Sequence, residues 1–155
     1  MPEETFEEFY RHNYPRAVAV ARALAGARAA EDIAQDAFIA ASRRWDDLVA
    51  PEYWLMRVVA NRSRSVLRRR YVEARALGEI GSALAEAPEL SESTEELWSV
   101  VRDLPRRQAQ TVALVYVDGL STEEVAEILG CAESTVRVHL HRARQSLAER
   151  FEAEV

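Results

Sequence analysis

Three histidines, one cysteine and twenty arginines, with no lysine, stand out among the side chains here whose chemistry goes beyond packing. Metal or nucleophilic catalysis needs ligands that converge, or a base beside a nucleophile. His12 stands alone, and His139 and His141 are two apart on different faces of one expected helix, so no metal site, no catalytic set and no cofactor is expected. Arginine offers different chemistry, a planar and permanently charged fork that pairs with guanine edges and with phosphate. Arg137, His139, Arg142 and Arg144 gather near the C-terminal end, and Arg57, Asn61, Arg64 and Arg68 recur at i, i+4, i+7 and i+11 in the middle of the chain. Both sets have the composition of a surface that holds nucleic acid.

The first of these sets needs an element to aim it, and the stretch STEEVAEILGCAESTVRVHLHRAR at 121–144 supplies one. Ser121 and Glu124 stand in capping-box spacing, opening a helix that buries Val125, Ala126 and Leu129. Gly130 falls where a left-handed residue ends a helix, with Cys131 beside it as a small apolar residue of the turn. A second helix follows with Val136, Leu140, Ala143 and Leu147 inward, and Arg137, His139, Arg142 and Arg144 outward. Two short helices joined this way form a helix-turn-helix, whose second helix lies in a DNA major groove. The plainer reading is a helical hairpin with a solvated basic face, and the agreement of caps, turn and spacing favours DNA.

The 155 residues are 48% hydrophobic, enough for one ordinary core or two small ones, and the formal charge is -6. An acidic protein does not hold DNA by bulk charge, so the distribution of charge decides. Residues 49–75 carry two acids and seven arginines, whereas 76–104 carry seven acids and one arginine. One cysteine excludes an intramolecular disulfide. The acidic N-terminus lacks the basic start of a signal peptide and no apolar run approaches a membrane span, so a cytoplasmic protein without membrane insertion is expected.

Along the chain, Thr5 and Glu8 predict a capped first helix carrying Phe6, Phe9 and Tyr10, and Pro15 suits the first turn of a second, closed by Gly26. From Ala29 to about Arg44 a helix places Ile33, Ala34, Ala37, Phe38 and Ala41 on one side and Asp32, Gln35, Asp36, Ile39 and Arg43 on the other. An exposed isoleucine among carboxylates and an amide reads as a surface for a protein partner. Pro51 starts a long helix in which Leu55, Val58, Val59 and Val66 face inward. Arg62 then falls within the apolar stripe, so either it is paired or the helix breaks near Asn61. Residues 76–92 read as a flexible acidic linker. Ser93 and Glu96 cap a helix with Leu97, Val100, Val101 and Leu104 inward. Pro105 opens the next, which carries Ala109, Val112, Ala113 and Tyr116. The fold expected is all-α, two small helical domains at 1–75 and 93–155 joined by the linker.

With these pieces in order the chain resembles the extracytoplasmic-function sigma factors, the group IV form of the sigma-70 family of RNA polymerase specificity subunits. AEDIAQDAF at 30–38 is similar to the family's region 2.2, YWLMRVVANRSRSVLRRR to regions 2.3 and 2.4, and LPRRQAQTVALVYVDGLSTEEVAEILGCAESTVRVHLHRAR to region 4. The resemblance implies that Asp32, Gln35 and Asp36, with Ile39 beside them, grip the clamp helices of the polymerase's largest subunit. It implies that Asn61, Arg62, Ser63 and Arg64 form a loop capturing an unstacked base of the minus-10 element, with Arg57 and Arg68 among the arginines that hold the strand. It also implies that Ser134, Arg137, Val138 and His139, with Arg142 and Arg144, lie against the minus-35 element. The partners implied are core RNA polymerase, promoter DNA and an anti-sigma factor. Ser65, Arg64, Ala132, Val138 and His139 depart from the residues common in the family, which touches the promoter sequence read and leaves the fold intact.

Two readings from other classes compete. TVRVHL also resembles the recognition helix of LuxR-type regulators, which would require a strand-bearing receiver or ligand-sensing half, and residues 1–75 show no strand alternation. A helical interaction protein whose basic stripes bind an acidic partner would lack retention of DNA by polymerase.

Overall fold

The computed structural model describes residues 3–77 and 92–153, which form helices and connecting turns with no strand among the described residues. The helices are α1 (Phe6–Ala25), α2 (Ala27–Arg43), a 3-10 turn (Trp45–Asp47), α3 (Pro51–Leu77), α4 (Glu92–Arg102), α5 (Arg106–Tyr116), α6 (Thr122–Leu129) and α7 (Glu133–Ala153). The chain divides into two compact units, Met1–Ala87 and Pro88–Val155. Of the linker expected at 76–92, Ala76 and Leu77 end α3, Glu92 begins α4, and 78–91 lie outside the described residues.

The first unit begins with the expected capping box: Thr5 Oγ1 accepts the Glu8 N–H at 3.2 Å and Glu8 Oε2 accepts the Thr5 N–H at 3.3 Å. Pro15, expected to start a second helix, instead lies inside α1. Proline offers no N–H to the carbonyl four residues back and crowds it. The helix nevertheless runs through, because Phe9 and Asn13 before Pro15 and Ala17, Val20 and Ala21 after it all face one core, and a break would uncover half of them. Asn13 reinforces the preceding turn, its Nδ2 donating to the Phe9 carbonyl at 3.0 Å. Gly26, at φ 92°, allows the reversal that lays α2 against α1.

Alanines on both helices, among them Ala17, Ala21, Ala30, Ala34, Ala37 and Ala41, are buried along this contact and let the backbones approach closely. At its end the rings of Phe9, Phe38 and Trp45 converge, with Phe9 centroids 5.6 Å from Phe38 and 4.9 Å from Trp45. Full burial of a side chain the size of Phe9 contributes roughly 1.5–3 kcal/mol. α3 closes the unit with Leu55, Met56, Val59, Ala60, Ser63, Leu67 and Ala74. That stripe is rotated from the expected one, leaving Val58 and Val66 half-buried, Ser63 inward and Arg62 exposed.

In the second unit Val100, Val101, Leu104, Ala109, Val112, Ala113 and Leu114 form a core with Val125, Ala126, Ile128, Leu129, Val136, Leu140 and Ala143. α4 begins one residue ahead of Ser93, which is therefore within the helix rather than at its cap. Arg102 is buried and held by Glu95, Nη1 to Oε1 at 2.7 Å. Tyr116, placed inward from its spacing, is 54% exposed because it closes α5 beyond the last core position. Leu147 and Cys131 are half-buried.

Candidate nucleic-acid and partner interfaces

The turn between α6 and α7 is built as its residue types require. Ser121 Oγ accepts the Glu124 N–H at 3.1 Å while Glu124 Oε1 accepts the Ser121 N–H at 3.2 Å, satisfying donors that the helix start leaves free. Gly130 ends α6 in the left-handed region at φ 70° and ψ 41°, and its N–H and that of Cys131 both donate to the Ala126 carbonyl, at 2.9 and 3.2 Å. Ala132 offers α7 no side-chain cap, and its carbonyl accepts from the N–H groups of Thr135 and Val136 at 3.0 and 3.2 Å.

On α7 the buried positions Val136, Leu140 and Ala143 leave Ser134, Arg137, Val138, Arg142 and Arg144 exposed and His139 half-buried. Three residues outside the candidate sets read from the sequence shape this face. Glu133, the first residue of α7, accepts from Thr122 Oγ1 at 2.9 Å and from Arg137 Nη2 at 2.7 Å, both on Oε1. The Thr122 bond, the largest cause, holds its carboxyl below the usual carboxylate range; burial opposes it, and the charge and hydrogen bond of Arg137 add to the lowering. The i, i+4 spacing of Glu133 and Arg137 was the signal available for this pair. Tyr116 Oη accepts from Arg144 Nε at 2.7 Å, and the guanidinium carbon stands 5.6 Å from the ring centroid. No local pattern could join residues 28 apart in sequence. His139 is pushed below its ordinary range by burial first, then by the positive charges of Arg107 and Arg142, which brings Arg107 of α5 to the edge of the same face.

In the first unit Asp32, Gln35 and Asp36 are exposed along α2, and Ile39 is 50% exposed beside them. A shallow groove of about 370 Å³ adjoins this row, lined by Phe6, Tyr10, Gln35, Phe38, Ile39 and Ser42. On α3, Arg57 and Arg68 are exposed, Asn61 and Arg64 half-buried.

Asn61–Arg64, expected as a loop, are the continuous middle of α3. Ser63 is fully buried, its Oγ donating to the Val59 carbonyl at 2.7 Å, so its side chain is closed to nucleic acid here. The hydroxyl satisfied by its own helix makes a polar residue acceptable in that core. Arg62 is exposed and lies 3.8 Å from Asp36 Oδ2, which joins the α2 row to the α3 face.

Among the described residues no group of three or more histidine, cysteine, aspartate or glutamate residues could hold a metal, and no helix is long and apolar enough to cross a membrane.

Two family patterns match the chain: Sigma-70 region 2 over residues 9–72 and Sigma-70, region 4 over residues 94–147. The RNA polymerase sigma-E factor of Streptomyces avermitilis is 30% identical over 158 residues, spanning 96% of this chain and 86% of the relative. The ECF RNA polymerase sigma-E factor of Escherichia coli is 34% identical over 135 residues, spanning 75% and 70%. Among solved structures, the sigma factor RpoE in complex with the anti-sigma factor NepR from Bartonella quintana is similar at a TM-score of 0.74 and 25% identity, covering 97% of this chain and 98% of that one. CnrH in complex with the cytosolic domain of CnrY has the same fold, with a TM-score of 0.71 at 22% identity over 97% of this chain and 89% of that one.

Proposed function

The chain belongs to the extracytoplasmic-function sigma factors of the sigma-70 family, and we propose that its two units divide promoter recognition between them. In this reading the first unit carries two interfaces. The α2 row of Asp32, Gln35, Asp36 and Ile39 docks on the polymerase, an apolar residue within a polar rim. The cationic face of α3, with Arg57, Asn61, Arg62, Arg64 and Arg68, receives the minus-10 strand as it opens. The second unit sets Ser134, Arg137, Val138, His139, Arg142 and Arg144 against duplex at minus-35.

The observation that carries this reading is the exposed cationic face of α7, presented by a capped helix-turn-helix, within a chain of net charge -6. Local cations can grip phosphate while the overall charge opposes loose binding, so affinity depends on a polymerase that brings both units to DNA together. The RNA polymerase supplies the catalysis, and the sigma factor acts in the cytoplasm where that enzyme works.

A regulator that covers the interfaces of the free protein follows from the company kept by its structural relative, and an anti-sigma factor is the class proposed. The LuxR reading finds no support, since residues 3–77 form helices and turns without the strands it required and the region 2 match spans 9–72.

The test is reconstitution with core RNA polymerase and transcription from a genomic library with start-site mapping. Starts that share two spaced motifs and depend on this protein are expected. Unaltered start sites would overturn the reading.

A further inference from the structure

We infer that Glu133 is a specificity-determining residue of the minus-35 interface, its carboxylate accepting a hydrogen bond from an exocyclic base amine, cytosine N4 or adenine N6, in the major groove. The inference rests on the sigma reading and extends it to a residue that neither motif nor family resemblance singled out.

Glu133 is the first residue of α7, at the end of a recognition helix that approaches base edges. Its side chain is 38% exposed and is held from two directions, by Thr122 of the preceding helix and by Arg137 one turn on. Both bonds fall on Oε1, and Oε2 has no partner among the described residues. A carboxylate fixed beforehand loses little freedom on binding, and Arg137 offsets the repulsion that phosphates would otherwise impose on it.

What remains is an unpartnered acceptor on a part-exposed side chain, beside the largely exposed guanidinium of Arg137. Guanine and thymine present only acceptors in the major groove and would oppose Oε2, whereas cytosine and adenine present an amine. Glu133 therefore selects cytosine or adenine over guanine or thymine on the strand it faces, next to a position read by Arg137.

Holoenzyme reconstituted with wild-type protein, Glu133→Ala or Glu133→Gln would be used to select from promoters randomised across the minus-35 element. The wild type is expected to disfavour guanine and thymine at one position by about tenfold. Glu133→Ala should flatten that position, and Glu133→Gln should shift it toward guanine or thymine, because its oxygen still serves Thr122 and Arg137 while the NH2 in place of Oε2 only donates. The glutamine variant decides the matter if the alanine variant folds poorly.

Enrichment of one motif with unchanged base preferences in Glu133→Gln would overturn the inference and leave the sigma reading intact. A uniform loss of enrichment with the same preferences would overturn it as well, by reducing Glu133 to a strut of the fold. Failure of the wild type to enrich any motif would instead sink the functional reading itself.

Discussion

Arg62 and Asp36 stand 3.8 Å apart, so one ion pair spans the two faces of the first unit that the sigma reading gives to different partners. Their side chains are 46% and 59% exposed, and a pair so open to solvent contributes about 0–1 kcal/mol to stability. Its significance is positional. A polymerase cation that engages Asp36 competes with Arg62 and leaves that guanidinium available to the minus-10 strand.

Asp36→Ala is accordingly expected to weaken assembly with core polymerase while changing thermal stability by under about 0.5 kcal/mol. The same variant should bind a single-stranded minus-10 oligonucleotide more tightly than wild type, since Arg62 loses its acid. Holoenzyme yield and oligonucleotide titration measure the two effects, and a normal yield from the Asp32→Ala, Asp36→Ala double variant would remove the α2 row from the polymerase interface.

Arg137→Ala should cost roughly 1–3 kcal/mol in duplex promoter retention and relax preference at one or two minus-35 positions. Asn61→Ala should spare closed-complex retention and impair opening, with a defect that shrinks on templates already unpaired across minus-10. Permanganate footprinting and retention on both templates distinguish them. Identical behaviour of the two variants would refute the division of labour.

Ser63→Ala should leave promoter preference unchanged and reduce stability modestly, by about 0.5–1.5 kcal/mol for one lost bond. Ser63→Leu should be far worse, because the site beneath α3 is closed. Altered base preference at minus-10 in Ser63→Ala would show that this stretch leaves its helix on DNA.

The depressed His139 pKa gives the second unit a pH dependence whose sign is fixed. The unfolded chain takes up this proton near the ordinary value of 6.5, and the folded chain only at lower pH. Stability linked to His139 is full above about 6.5 and falls as pH drops toward the folded value, because the unfolded state then binds more protons. Thermal melts of wild type and His139→Gln between pH 7.5 and 5, roughly the range in which histidine titrates, should diverge on the acid side. Parallel curves would show that the imidazole titrates alike in both states.

Much of this architecture was legible because it is local. Thr5 with Glu8, Ser121 with Glu124, and Gly26 and Gly130 all act within one turn of their partners, and the two faces of α2 follow from spacing alone. Pro15 was misread because its helix-breaking tendency is local while the core that overrides it is not. The α3 stripe slipped because Val58 and Val66 look more buriable than Ser63, whose hydroxyl is satisfied by the Val59 carbonyl. At the candidate sites, exposure followed from periodicity, but the contacts that set the side chains did not. Arg144 lies on Tyr116 and Glu133 on Thr122 through packing between helices, which the periodicity within one helix does not show. The roles of the two cationic faces rest on family resemblance, since a basic stripe alone does not distinguish duplex from opened strand.

Cys131 is the chain's single thiol, and it sits half-exposed at the joint between α6 and α7. A maleimide fluorophore would therefore attach at one defined point of the natural sequence. That point lies two residues before the proposed groove-entering end of α7. Changes in dye emission could then time the arrival of promoter DNA in a stopped-flow instrument, with no engineered cysteine.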